Sequence, residues 1–313
     1  MTPPTDPRSN MNTYATEREN EVAELAVRDF STEEPDEISP AGSPTWYFRG
    51  QNFIVALTSL RAGDSLTRGS DQDEEFVILL NDSAPDVLVT AQEDGIATSE
   101  HVTERALIVV PPGASTVTAQ SDTEVVRLFD VRTSDVVARA SNSASYATPH
   151  PRVAPLVPWP DPVDGHRLRI YLVDRVAKNP QRFGRIYRTS AFMVNFMEPQ
   201  EGPRDTENLS PHHHDDFEQG SLALAGDWIH HVRTSWTPRQ SQWREDRHDR
   251  VGSPSLAVIP PPTIHTSVAI GPGRNQLIDI FSPPRVDFSQ QPGWVLNAED
   301  YPAPASTSEE SNR

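Results

Sequence analysis

The chain has no cysteine in 313 residues. That removes disulfides, zinc–thiolate sites, iron–sulfur clusters and thiol nucleophiles together, and leaves His, Asp and Glu as its ligand chemistry. The absence fits a reducing compartment. Positive charge is also scarce, with 27 Lys and Arg against 45 Asp and Glu and a formal charge of −18. A field of that sign opposes phosphate backbones and anionic lipid, so neither a nucleic-acid nor a membrane partner is expected. No stretch approaches the ~20 apolar residues of a membrane span, and residues 1–20 lack the apolar core of a signal peptide. The expected location is the cytoplasm.

Proline, by contrast, is abundant. Thirty Pro and 15 Gly separate short runs rich in Val, Ile and Leu, a texture of many strands and turns. Val22, Leu25, Ala26 and Phe30 fall at roughly helical spacing and predict one short helix between Ala15 and Phe30. From Pro44 onward the runs FIVAL (53–57), EFVILL (75–80), DVLVT (86–90), ALIVV (106–110) and EVVRLFDV (124–131) read as strands. Residues 147–165 hold too many prolines for a regular element. Strand-like runs resume with RLRIYLV (167–173), SAFMVNF (190–196), SLALAGDWIHHV (221–232), SLAVI (255–259) and NQLIDIF (275–281). The predicted organisation is a flexible N-terminal segment with its helix (1–43), a β unit (44–135), a Pro-rich linker (136–165), a second β unit (166–298) and a flexible tail (299–313).

The densest chemistry lies in SPHHHDDFEQG (210–220). In a strand, alternate side chains share a face, so His212, His214 and, without interruption, Glu218 project together. A third imidazole is offered by His265 in AVIPPPTIHTSVAIG. Three imidazoles and a carboxylate make a first shell for a divalent metal. His213 and Asp215 point the other way and read as solvated, and Asp216 reads as a turn residue.

These residues resemble the cupin superfamily. Its first motif runs HxH, three or four residues, Glu, six residues, Gly; its second runs PxGxxH. His212, His214, Glu218 and Gly226 supply the first, and Pro260, Pro262 and His265 the second, with proline at the usual glycine position. Glu218 is followed by seven residues before Gly226, whereas Gln219 satisfies the four- and six-residue spacings together. Glu218 is the expected ligand, because it is in phase with both histidines and a carboxylate binds a dication better; Gln219 is the alternative. In the first half, Arg68, Ser70, Glu74 and Asn81, then Pro111, Gly113 and Thr116, keep motif spacing without the histidines.

The resemblance therefore implies an all-β fold of two tandem cupin (double-stranded β-helix, or jelly-roll) barrels. The N-terminal barrel is degenerate and the C-terminal one holds one divalent metal per chain, Fe(II) in first place, with Mn(II), Ni(II) or Zn(II) as alternatives. It implies a small-molecule substrate, and pairing of such proteins through barrel edges points to a homodimer. The expected function is an Fe(II)-dependent dioxygenase. One alternative is a non-redox isomerase, lyase or decarboxylase acting on a sugar or a hydroxy or keto acid; another is a non-catalytic binding module. His230 is the expected group for orienting substrate or moving a proton. Arg244, with Trp243 and His248 in WREDRHD (243–249), is the candidate pocket rim. Arg185 and Arg188, three apart, lie on opposite faces of a strand; one could hold a substrate carboxylate, though exposure is the default for both.

Overall fold

The structure is a computed structural model that describes residues 22–305 except 94 and 238. The first eleven strands are β1 (Ala26–Asp29), β2 (Glu37–Ile38), β3 (Pro44–Arg49), β4 (Phe53–Leu60), β5 (Ser65–Arg68), β6 (Phe76–Leu80), β7 (Val87–Glu93), β8 (Ile96–Val102), β9 (Ala106–Val110), β10 (Ser115–Ala119) and β11 (Thr123–Asp130). After an irregular Pro-rich crossing come β12 (Arg169–Leu172), β13 (Arg185–Arg188), β14 (Met193–Phe196), β15 (Gln200–Glu201), β16 (Gln219–Ala225), β17 (Trp228–Arg233), β18 (Arg247–Val251), β19 (Ser255–Ile259), β20 (Ile264–Ala269) and β21 (Arg274–Phe281). The helices among the described residues are single turns.

Four antiparallel sheets result. A seven-stranded sheet, β12-β9-β6-β11-β4-β3-β2, faces a four-stranded one, β5-β10-β7-β8, to make the first barrel. A second seven-stranded sheet, β1-β19-β16-β21-β14-β13 with β15 on β21, faces β18-β17-β20 to make the second. Each large sheet is buried on both faces, which is why its strands read as continuous apolar runs rather than alternating ones. The outward faces of the two large sheets join in one core that includes Val55, Leu79 and Leu128 from the first half and Phe196, Leu222 and Ile280 from the second. Each such side chain contributes about 1.5–3 kcal/mol by leaving water.

The barrels exchange edge strands. β1 pairs with β19 of the second barrel, and β12 pairs with β9 of the first. This corrects the expected helix: residues 26–29 are extended, and residues 15–21 lie outside the described part. The helical spacing arose because both faces of β1 are buried, Leu25 and Val27 against the second barrel and Ala26 and Phe30 in the shared core. The expected flexible tail is also corrected as far as residue 301. Tyr301 is 1% exposed and donates to Glu75 at 3.0 Å, while its carbonyl accepts from the Arg188 guanidinium.

The two barrel interiors differ. The first is filled by Ile54, Phe76, Ile78, Val89, Ile108 and Phe129. The inward face of the second large sheet carries Gln219, Ser221, Asn195 and Asp279, all buried and polar. Among the described residues, the group of His, Asp or Glu side chains that could hold a metal lies in the second.

Candidate metal centre

His212 sits just before β16 and forms a two-bond antiparallel bridge with His265 at the start of β20, the amide of each donating to the carbonyl of the other at 3.1 and 2.8 Å. That backbone pairing places the two imidazoles side by side, with ring centroids 4.4 Å apart. His214 completes the group, 5.0 Å from His212 and 5.2 Å from His265 by centroid. One ligand nitrogen from each lies within 4.8 Å of the others. The three histidines named from sequence are thus brought together.

Their orientation is fixed from behind. Nδ1 of His212 donates to the Ser210 carbonyl at 2.9 Å, and Nδ1 of His265 donates to the Thr263 carbonyl at 3.0 Å. The proton on Nδ1 leaves the Nε2 lone pair free, which is how a ligating imidazole is usually held. Burial pushes His214 down to about 3 and His265 down to about 4, so both are neutral and in the ligating form.

Glu218 is not part of this group, which corrects the expected ligand set. Its Oε2 accepts the Gln51 amide at 2.5 Å and its Oε1 accepts the Tyr146 hydroxyl at 3.2 Å, both from the other barrel or the crossing. The chain bends at Asp215 and Asp216, so the alternation that linked Glu218 to the histidines is interrupted. Glu218 keeps phase with Leu222 instead, and Leu222 faces the core between the barrels. Gln219 takes the inward position: its Oε1 lies 2.8 Å from Nε2 of His214 and 3.4 Å from Nε2 of His265. Its amide nitrogen donates to Ser221 Oγ at 2.9 Å and Asp279 Oδ1 at 3.0 Å, which turns the oxygen toward the imidazoles. The motif glycine, Gly226, follows β16 at φ +83°, and a Cβ there would collide with the Asn275 side chain.

Three imidazole nitrogens and an amide oxygen fit a divalent ion such as Mn(II), Fe(II), Ni(II) or Zn(II). Burial keeps His214 and His265 neutral, and the Gln219 amide carries no charge. A carboxyl held within the barrel, that of Asp279, lies one hydrogen bond behind Gln219 and was missed by sequence reasoning because NQLIDIF reads as an ordinary apolar strand. Burial raises its carboxyl to about 7 against the opposing pull of Ser221, Arg285 and Gln219. A cavity of about 190 Å³ opens on this group. His212, His265, Gln219 and Asp279 contribute to its lining, Trp228 and Leu277 give it apolar wall, and Arg204 also borders it.

The remaining candidates fall elsewhere. His230 is buried on the inward face of β17, with Nδ1 2.9 Å from the cavity-lining Ser267 Oγ and Nε2 unpaired. Burial pushes it down to about 4. Arg244 is not a rim residue of this cavity, which corrects that expectation. It donates to the Ala23 carbonyl at 3.1 Å and so holds the segment leading into β1. Arg185 and Arg188 are 5% and 2% exposed and bond Glu198 and Tyr301, so neither is the surface arginine expected nor a carboxylate anchor in the cavity. In the first barrel, Arg68 is tied to Asp135 at 2.7 and 2.8 Å and lies over Phe129, together with Arg127. Built-in guanidinium groups occupy that interior.

No family model matches the chain, and no curated protein matches it. Solved structures do. A mutant of Bacillus subtilis oxalate decarboxylase OxdC superposes with a TM-score of 0.56 at 13% identity, over 87% of this chain and 82% of that one. The Lactobacillus farciminis oxalate decarboxylase formate complex gives 0.55 at 13% identity, over 85% and 88%. The fold is that of a bicupin. A further B. subtilis oxalate decarboxylase structure, described for its Mn(II) centres, superposes with a TM-score of 0.55 at 14% identity over 87% and 82%. The histidine triad lies in the second barrel of this fold, and no helix among the described residues is long and apolar enough to cross a membrane.

Proposed function

We propose that this bicupin is a metal-dependent lyase that decarboxylates a small carboxylic acid at the centre formed by His212, His214, His265 and Gln219. One observation carries the reading. A protonatable carboxyl, Asp279, stands one hydrogen bond from a set of imidazole and amide metal donors, at the wall of a small cavity. The likeness in fold to oxalate decarboxylases supports the same choice over the dioxygenase expected from sequence.

A divalent ion bound by these donors would supply Lewis acidity toward a carboxylate or carbonyl oxygen. Mn(II) is the first ion to test and Fe(II) the second. The chain's own groups do the rest. Arg204 beside the cavity attracts the substrate anion, and Trp228 and Leu277 exclude water from the reacting carbon. Asp279 holds at its carboxyl the proton that replaces CO₂, with a pKa of about 7 matched to that transfer. His230 positions the Ser267 hydroxyl that lines the cavity.

The test is metal analysis of the purified protein, loading with Mn(II), and a screen of oxalate and related dicarboxylic, hydroxy and keto acids in which CO₂ release is measured by headspace mass spectrometry and O₂ uptake on an oxygen electrode. CO₂ release without net O₂ uptake supports the proposal. Stoichiometric O₂ consumption would return the reading to a dioxygenase, and bound metal with neither gas changing would indicate a binding module.

A further inference from the structure

A second pair of histidines lies on the opposite face of the sheet that carries His265. Side chains alternate along β17, so His230 faces the barrel interior and His231 faces outward. His231 is paired directly across the antiparallel ladder with His248 of β18. Their Nδ1 atoms are 2.7 Å apart, with ring centroids at 4.8 Å and an edge-on angle of 67°. Two nitrogens this close cannot both carry a proton toward each other, so at least one presents a lone pair.

Two nitrogens bonded to one ion at about 2.0–2.1 Å stand roughly 3 Å apart, so the pair needs to open by only a few tenths of an ångström to chelate one. Burial and the facing His248 hold His231 below its usual range, in the neutral form that ligates. The pair lines an open groove of about 190 Å³ together with Asp246 and Thr266. Asp246 is held below the usual carboxylate range by its ion pair with Arg233, which also lines the groove, and more weakly by His248, so a paired carboxylate stands beside the two imidazoles. Thr266 opposes His231 on β20, is 8% exposed, and its hydroxyl has no hydrogen-bond partner.

We infer that His231 and His248 form a second divalent transition-metal site on the outer face of the C-terminal barrel, a two-imidazole chelate completed by water, distinct from the interior triad. An ion there ties β18 to β17, and through β17 it stiffens the sheet that presents His265. Borderline-soft ions, Zn(II), Ni(II), Co(II) or Cu(II), suit imidazole; Mg(II) and Ca(II) do not.

The experiment is titration of the metal-stripped full chain with Ni(II), read by calorimetry and by bound-metal analysis. Wild type is expected to take up two equivalents. His248→Ala and His231→Ala should each retain one and weaken the other on the order of 100-fold, because the second nitrogen binds at the effective concentration of a pre-placed ligand. The doubly substituted His212→Ala, His265→Ala chain should keep the outer equivalent, which separates failure of this site from failure of the interior one. No equivalent bound by the His212→Ala, His265→Ala chain, or a stoichiometry and affinity undiminished in both His248→Ala and His231→Ala, would overturn the inference.

Discussion

Glu218 and Gln219 are neighbours in the chain and belong to different machinery: the carboxylate of Glu218 accepts the Gln51 amide at 2.5 Å, while the amide oxygen of Gln219 lies 2.8 Å from His214. Metal retention should therefore follow Gln219. Glu218→Gln is expected to keep full metal stoichiometry, and Gln219→Ala to weaken retention by about 10- to 100-fold against a competing chelator. Loss of metal in Glu218→Gln with metal kept in Gln219→Ala would reverse the assignment.

Glu218 should instead show itself in stability. Burial raises its carboxyl to about 7, above the value of about 4.5 in an unfolded chain. A raised carboxyl favours the folded state below pH 4.5, and that contribution is lost as pH climbs through 7. Its loss is worth on the order of 2–3 kcal/mol between pH 5 and pH 8. Thermal melts of the metal-free protein at both values should show a larger fall for wild type than for Glu218→Gln. Equal falls would mean that the carboxyl is not raised.

His212→Ala and His265→Ala should each abolish metal retention at the interior site and leave the circular dichroism spectrum unchanged. The barrels are held by apolar cores to which these rings do not belong. A variant that still bound one equivalent at the interior site would remove that residue from the ligand set.

Asp279→Asn should retain metal, because Asp279 contacts Gln219 and not the imidazoles. Loss of the proton donor should lower kcat by about 10²- to 10⁴-fold. Unchanged turnover with full metal would take Asp279 out of the reaction.

Tyr301→Phe removes a donor to the buried Glu75 carboxylate, which also accepts from Ser190 at 2.7 Å. A cost of about 1–3 kcal/mol in urea unfolding is expected. An unaltered midpoint would show that the C-terminal segment is not anchored there.

The fold was legible where strands are buried on both faces, because FVILL, ALIVV and SLAVI leave no other reading. It was illegible at polar edges: β8, IATSEHV, is mostly exposed, and β18, RHDRV, reads as a charged loop. The run 221–232 looked like one strand because the turn at Gly226 occupies only two residues. The triad was legible because HxH and a distant His match a motif. Glu218 misled because phase was carried across a bend that the sequence does not announce, whereas the motif spacing to Gly226 already favoured Gln219.

The exchange of β1 and β12 between barrels ties their manufacture together. As the chain emerges during synthesis, the first barrel cannot cover β9 until residue 172 has appeared, and β1 waits for β19, which is made long after it. A chain cut within the Pro-rich crossing would leave two β-branched edges, ALIVV and SLAVI, bare to other molecules, and such edges template aggregation. The two halves are thus obligate companions, and neither is expected to stay soluble when expressed alone.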